Sequence, residues 1–324
     1  MDYCVAIRTL GTAGTKYQTL LNSLNRQTFK PKRILVYIAE GYNLPKETIG
    51  IEQYVYCPKG MITQRSLSFD EIDTEYILFC DDDLWLADDF VEKLYNGLED
   101  NHGDCISPDV FCIQDLSFMD KIKKAIAGYA FPRKDDGWAF RIMRNGSYTY
   151  NNHPSKEVLP TESAAGACML IKKEAYQAIH FEDERWMEDF KYALGDDMLF
   201  FHKLFIMNYI VLIHYNAGIK HLDAGAGSKR LPDNWIRKYF TLSIIIQYRI
   251  KYSLKKNNNI EKIKCVWSSS LKNIEQAFFF FLRELINNKR VIFLDYFLGL
   301  KDGIKYVKSS SYQKIPSFDA YNSK

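Results

Sequence analysis

Residues 76–86 decide the fold, and they read Tyr-Ile-Leu-Phe-Cys-Asp-Asp-Asp-Leu-Trp-Leu. The uninterrupted apolar run at 76–80 is typical of a strand buried on both faces of a parallel sheet. Three carboxylates follow at once, and like charges this close raise one another's pKa unless a positive partner is present. Because ligands of open α/β sheets gather at the carboxyl ends of strands, this stretch predicts a ligand site at a sheet edge.

Strand and helix signals alternate on both sides of this stretch. Short apolar runs at 4–7, 33–38 and 54–56 indicate further strands. Residues 17–24 and 90–98 carry apolar side chains at helical spacing. The alternation predicts an α/β fold with a mostly parallel central sheet flanked by helices.

The acidic triplet Asp81, Asp82 and Asp83 has two interpretations. Oxygen ligands are preferred by Mn²⁺ or Mg²⁺, which share their coordination with substrate phosphates, so the triplet predicts a metal site. Alternatively, it is a solvated loop before the next helix. Asp88 and Asp89 do match the pattern of a helix cap.

Composition excludes some classes of protein. The chain has 324 residues, 47% of them hydrophobic, which indicates a globular protein, and a net charge of +3, which predicts no nucleic-acid partner. The seven cysteines are scattered and odd in number, which indicates reduced thiols and a cytoplasmic protein. We expect no signal peptide, and no apolar run approaches the ~20 residues of a membrane span.

The run 76–86 resembles the strand and DXD motif of family 2 glycosyltransferases of the bacterial polysaccharide-biosynthesis type. Other elements similar to that family follow in its order: the first strand Val5–Thr9, the helix ending at Gln27, residues 59–65, the strand region 165–173, and Gly195-Asp196-Asp197. The resemblance covers roughly residues 4–228. It implies a GT-A fold for 1–228, with a nucleotide-binding half (1–112) and an acceptor half (113–228).

The resemblance also implies an activity. The expected enzyme is a glycosyltransferase that moves a sugar from a nucleotide-sugar donor, by default a UDP-sugar, to a hydroxyl of a glycan or lipid-linked acceptor, with inversion. A carboxylate is a suitable base for the acceptor hydroxyl. Asp197 is the first candidate; Asp196 is either the base itself or the group that holds it. Apart from this resemblance, Gly195-Asp196-Asp197 is also a sequence typical of a helix N-terminal cap.

The remaining site residues follow from the same resemblance. Asp83 is the first metal ligand, His221 reaches the metal or the diphosphate, and Asp81 faces the ribose or shares the metal. Basic side chains suit a diphosphate, so Lys59 and Arg65 are candidates for it.

The set of nucleotide-sugar contacts is completed by Thr9, Asp82 and Glu40. Glu40 stands where the family has an aspartate that contacts the nucleobase. The sequence therefore predicts the class of enzyme more closely than the identity of the nucleotide. Trp138 and Gly166 are candidates for the acceptor side.

Residues 229–324 are rich in long helical runs. The segment 278–282, Phe-Phe-Phe-Phe-Leu, lies among lysines, a pattern typical of a helix lying in the plane of a membrane surface. Packing on the catalytic domain and a homodimer are the other interpretations. A membrane-associated protein at the cytoplasmic face follows from the first of these.

Two other functions are compatible with the sequence. A nucleotidyltransferase acting on a sugar phosphate uses a similar acidic strand end, and residues 10–16 faintly match its Gly-rich loop, but the Gly-Asp-Asp element then has no role. The other is a non-catalytic carbohydrate-binding or assembly protein, which would have the same fold but no transferase activity.

Overall fold

The computed structural model describes six segments of the chain: residues 1–110, 131–190, 195–222, 235–254, 259–287 and 292–317. The predicted boundary near residue 228 lies outside the described residues. The division into a catalytic domain and a C-terminal helical region therefore stays a prediction.

An eight-stranded sheet forms the centre of the fold. In spatial order its strands are β10 (Val158–Pro160), β12 (Val211–His214), β6 (Cys105–Pro108), β11 (Cys168–Lys172), β4 (Tyr76–Asp81), β1 (Tyr3–Thr9), β2 (Arg33–Ala39) and β3 (Glu52–Cys57). The strands β3, β2, β1 and β4 run parallel to one another, whereas β11 runs antiparallel between β4 and β6. The predicted mostly parallel sheet is confirmed.

Helices cover both faces of this sheet. They are α1 (Thr15–Arg26), α2 (Met61–Arg65), α3 (Phe90–Asp100), α4 (Lys173–Ala178), a 3₁₀ helix (Phe181–Phe190) and α5 (Asp196–Ile206). The stripe at Tyr17, Leu20, Leu21 and Leu24 is buried, as its helical spacing predicts. Two apolar clusters result, one on each face of the sheet.

Two small sheets accompany the central one. The first pairs β5 (Leu84–Leu86) with β13 (Ile219–His221) in antiparallel fashion. The second contains β7 (Phe131–Arg133), β8 (Phe140–Ile142) and β9 (Tyr148–Asn151). Sequence analysis assigned none of these five strands, because three or four residues are too few to show a period of two.

The described C-terminal part is helical. It contains α6 (Trp235–Tyr248), which continues as a π-helical turn (Arg249–Leu254), then α7 (Asn259–Asn287), α8 (Ile292–Val307) and α9 (Ser310–Gln313). The sequence predicts this helix over residues 274–286. The observed α7 begins well before that run, since lysines and serines dilute the apolar pattern of its first half. Within the described residues, none of the helices is long and apolar enough to cross a membrane.

The expected cap of α3 is wrong. Asp89 precedes the helix, but its side chain makes no capping hydrogen bond. Instead Asp89 pairs with Lys93 at 2.9 Å, and Asp88 pairs with Arg26 at 3.0 Å. Both aspartates therefore take part in exposed ion pairs, which contribute little to stability.

Candidate active site

The acidic triplet follows the central strand β4, and its first two members have different partners. Asp81 accepts a hydrogen bond from Arg8 on the neighbouring strand β1, with 3.2 Å between Nη2 and Oδ1. Asp82 accepts a hydrogen bond from the hydroxyl of Thr9 at the end of β1. Parallel pairing of β1 and β4 brings these side chains together, because it sets Arg8 opposite Asp81.

The third carboxylate lies beside a histidine. Asp83 Oδ1 is 3.3 Å from Nε2 of His221. The antiparallel pairing of β5 with β13 produces this contact, since it places His221 opposite Leu84, and the amide of Leu222 donates to the carbonyl of Asp83. The structure thus brings together two predicted metal ligands that are far apart in the sequence.

Burial perturbs the charges around this strand end. Burial raises the pKa of Asp82 to about 6, although the hydrogen bond from Thr9 opposes the shift. Burial lowers the pKa of Arg8, as does the nearby Arg65, while Asp81 acts in the opposite direction. A carboxylate whose pKa is raised in this way, as that of Asp82 is, is typical of a functional site.

The Gly-Asp-Asp element forms the second acidic group. Gly195 takes a left-handed conformation with φ of 91°, which glycine adopts without strain, and α5 begins at the next residue. Arg65 at the end of α2 pairs with both aspartates: its Nη1 is 2.7 Å from Asp196 Oδ2 and also binds Asp197 Oδ1. Neither aspartate caps α5, so the cap interpretation is wrong.

Asp196 and Asp197 differ in exposure. The Asp196 side chain is 6% exposed and that of Asp197 is 35% exposed. Burial raises the pKa of Asp196, against the opposing effect of Arg65. Burial also lowers the pKa of Arg65, but the two carboxylates outweigh it and hold that pKa above its ordinary value.

Gly166 joins the two acidic groups. Its carbonyl oxygen accepts from Nη2 of Arg8 at 3.5 Å. A Cβ on Gly166 would overlap Asp197 Oδ1 and crowd Nη1 of Arg65. The triplet, both arginines, Gly166 and the Gly-Asp-Asp element therefore form one connected group at the carboxyl end of the sheet.

The donor set fits a divalent cation that is shared with a substrate. Across the described segments of the chain, no three His, Cys, Asp or Glu residues are grouped as a complete metal site. Asp83 and His221 provide two adjacent donors. A cation held by one or two side chains plus substrate phosphates needs no more than this.

Other predicted residues lie at the margin of this group. Glu40 follows β2 and is exposed, as is Lys59 after β3. The Lys59 ammonium lies over the Tyr42 ring, 4.9 Å from its centroid.

Trp138 lies beside the later part of α5. Its ring centroid is 5.9 Å from that of Phe205, and Phe205 lies about 12 Å beyond Asp197 along α5. Its role as an acceptor contact stays a prediction.

Arg8 is the main residue that sequence analysis missed. Its side chain is 8% exposed and bridges Asp81 to Gly166. The signal was available, because arginine is rarely buried, and a charged residue inside an otherwise apolar strand indicates a buried partner.

The fold is that of the GT-A class, as comparison with solved structures shows. A crystal structure of S. aureus TarS residues 1–349 in complex with UDP-GlcNAc aligns with a TM-score of 0.50 and 12% identity, covering 97% of this chain and 84% of that chain. A Pyrobaculum calidifontis mannosyltransferase in complex with GDP-Man and Mn²⁺ aligns with a TM-score of 0.48 and 12% identity, covering 99% and 84%. The predicted fold class is confirmed.

Residues 53–179 match the sequence model of the family Glycosyl transferase family 2. This match confirms the predicted resemblance, and with it the predicted class of enzyme, a glycosyltransferase. The chain spans 43% of the longer TarS structure, to which it is 12% identical with a TM-score of 0.48 over 84% of its own length. No curated protein matches the chain.

Proposed function

We propose that the chain transfers a sugar from a nucleotide-sugar donor to a hydroxyl of a glycan or lipid-linked acceptor, with inversion at the sugar. One observation carries the proposal: the acidic end of β4 and the Gly-Asp-Asp start of α5 meet at one sheet edge through Arg8, Gly166 and Arg65. This arrangement supports a donor site with a base beside it.

The donor side consists of the ends of β1, β2 and β4. In this proposal Thr9, Asp81 and Asp82 contact the nucleoside, Glu40 reads the base, and Lys59 reaches the diphosphate. A UDP-sugar is the first donor to test, because the TarS fragment with the same fold carries UDP-GlcNAc.

Asp83 and His221 would hold Mn²⁺ or Mg²⁺ at the diphosphate. Such a cation, when bound, offsets the negative charge that develops on the departing nucleoside diphosphate. Asp81 is less available as a further ligand because its carboxylate already pairs with Arg8.

Asp197 is the proposed base, because its carboxylate is the more exposed of the two. It accepts the proton of the acceptor hydroxyl while that oxygen bonds to the anomeric carbon and the bond to the diphosphate breaks. The ion pair with Arg65 holds this carboxylate in place at the start of α5. Asp196 shares Arg65 and positions it.

Several finer expectations belong to the same proposal. They are a role in polysaccharide biosynthesis, a cytoplasmic location with peripheral membrane contact, a homodimer, and the boundary of the catalytic domain near residue 228. Trp138 and Gly166 complete the acceptor side.

Ligand-dependent thermal unfolding tests the donor and metal parts directly. The melting temperature is measured with UDP, GDP and UTP, with and without Mn²⁺, for the wild type, Asp83→Ala and Asp88→Ala. A ligand present at 100 times its Kd should add about 2.7 kcal/mol to the unfolding free energy. We expect a Mn²⁺-dependent increase with one diphosphate, lost in Asp83→Ala.

Asp88→Ala is the matched control, because Asp88 is an exposed acid that pairs with Arg26 away from the triplet. It should retain the whole increase. Stabilisation by the triphosphate alone would favour a nucleotidyltransferase, and no stabilisation by any nucleotide would favour a binding or assembly protein.

A further inference from the structure

The α7 helix has a buried face and, opposite to it, an exposed apolar face. One face packs inward and buries Cys265, Lys272, Gln276 and Phe280. The opposite face is exposed and carries large apolar side chains along the whole helix. A surface helix of a monomer normally has one apolar face and one polar face, so the exposed face of α7 needs an explanation.

The exposed side chains repeat every seven residues. One row contains Ile260, Trp267, Ile274 and Phe281, and the second contains Lys264, Leu271, Phe278 and Leu285. The rows are offset by four residues and alternate as the a and d positions of a coiled coil. We call these eight residues the α7 seam; seven of them are apolar and exposed by between 44% and 67%.

We propose that the α7 seam is the contact surface for a second copy of this chain. The spacing favours a helix as the partner, because a strict seven-residue repeat keeps a seam aligned with another helix along its length. A partner helix with the same repeat is present in every other copy of the molecule. A closed two-fold dimer also uses the same surface on both copies.

The exposed area is large enough for such a dimer. Seven half-exposed aliphatic and aromatic side chains present on the order of 800 Å² per copy, and a standard stable interface buries ~800 Å² per partner. An apolar surface of this size is larger than the largest patch on most monomers, which is about 300–600 Å².

The charges beside the seam favour protein over an anionic membrane. A helix that lies on such a membrane carries basic side chains along its apolar face. Here Glu275 is exposed beside the seam, and Lys264 pairs with Glu261, with 2.8 Å between Nζ and Oε1. Besides Lys264, the described basic side chains of α7 are Lys262 and Lys272, and Lys272 faces inward.

Lys264 also bears on the direction of the pairing. In a parallel pair, the two Lys264 ammonium groups would lie opposite each other within the seam, which is unfavourable for like charges. An antiparallel two-fold pair centred between Leu271 and Ile274 avoids this contact. It sets Trp267 of each copy against Phe278 of the other, so two aromatic pairs form the centre of the interface.

The molar mass of the full chain in solution tests this inference. Sedimentation is measured from about 1 to 100 µM for the wild type, for Trp267→Glu/Ile274→Glu and for Val266→Glu. Hot-spot residues each contribute at least about 2 kcal/mol, so the double variant should raise the dimer Kd at least about 100-fold. Val266 is the control, because it is 48% exposed on the same helix but outside the seam.

A wild-type dimer that becomes a monomer in the double variant, and remains a dimer in Val266→Glu, supports the inference. A wild type that is monomeric throughout overturns it, as does a dimer that both variants retain. Flotation with phosphatidylcholine vesicles containing 30% phosphatidylglycerol is the second measurement. A monomer that floats with the vesicles, and fails to do so as the double variant, would assign the seam to a membrane instead. Circular dichroism of each variant verifies that α7 is folded.

Discussion

Gly166 has little room for a side chain. A side chain there would overlap the Asp197 carboxylate and crowd Arg65. Because those atoms are the ends of flexible side chains, Gly166→Ala should fold but displace the proposed base. A misplacement of about 1 Å costs on the order of 100-fold in rate, so we expect kcat to fall by about that factor.

The measurement is sugar release from the best donor together with a circular dichroism spectrum. Gly50→Ala is a comparison for lost stability alone: its φ of 82° strains an alanine, but nothing lies within 4 Å of a Cβ there, so kcat should be unchanged. Normal turnover in Gly166→Ala would show that the close contact between these residues is not required.

Asp197 and Asp196 can be separated by kinetics. Asp197→Asn keeps the shape of the side chain but removes its ability to accept a proton, so kcat should fall about 10²–10⁴-fold. The KM for the donor should change little, because Asp197 lies on the acceptor side of the proposed site. Asp196→Asn should retain more activity if it only positions Arg65. The reverse order of effects would make Asp196 the base.

At the scale of elements, α7 contains a buried basic group. Lys272 is buried on the inner face, and burial lowers its pKa to about 8. An unfolded lysine titrates near 10.4. Between about pH 8 and 10 the unfolded chain therefore binds more protons than the folded one, so this group makes the unfolding free energy rise with pH. Below pH 8 Lys272 is charged in both the folded and the unfolded state, so its burial lowers the unfolding free energy by the full amount.

Lys272→Met should therefore stabilise the protein at pH 7 by roughly 2 kcal/mol and remove part of the rise toward pH 10. Urea unfolding at pH 7 and pH 10 measures both effects. Lys262→Met, at an exposed position of the same helix, should change neither. Destabilisation by Lys272→Met at pH 7 would contradict the expectation and imply a partner for the charged amine.

Across the whole molecule, a buried ion cluster ties the C-terminal helices to the sheet. Arg249 in the π-helical turn donates to Glu184 in the 3₁₀ helix, and Nη1 of Arg249 also donates to the carbonyl of Pro316 at 2.7 Å. Lys203 of α5 completes the cluster, and all three charged side chains are at most 1% exposed. The helix that starts with the proposed base is thereby linked to the end of the chain.

Arg249→Met should destabilise the whole molecule by about 3–5 kcal/mol, because it leaves a buried carboxylate with less compensation. Arg144→Met provides the matched comparison. Arg144 pairs with Glu261 of α7 on the surface, with 3.0 Å between Nε and Oε2, and exposed pairs contribute at most about 1 kcal/mol. Unfolding in guanidinium chloride gives the unfolding free energy of both variants. Equal losses would show that the buried cluster stabilises the protein no more than an exposed ion pair does.

The sequence by itself determined the elements and the chemistry of the sheet edge. Apolar runs and helical spacing are local properties of the chain, so β1, β2, β4, α1 and α3 could be predicted, and three adjacent carboxylates mark a site wherever they are placed. The order of family-like elements also predicted the GT-A class.

Only the tertiary structure decided which side chains meet. Arg65 and Asp197 are 132 residues apart, and their ion pair exists because β11 lies beside β4 and presents Gly166 between them. The contact of Asp83 with His221 depends on two three-residue strands that leave no periodic signal. Periodicity records only whether a residue faces the core, whereas its partner is set by the order in which distant strands pair.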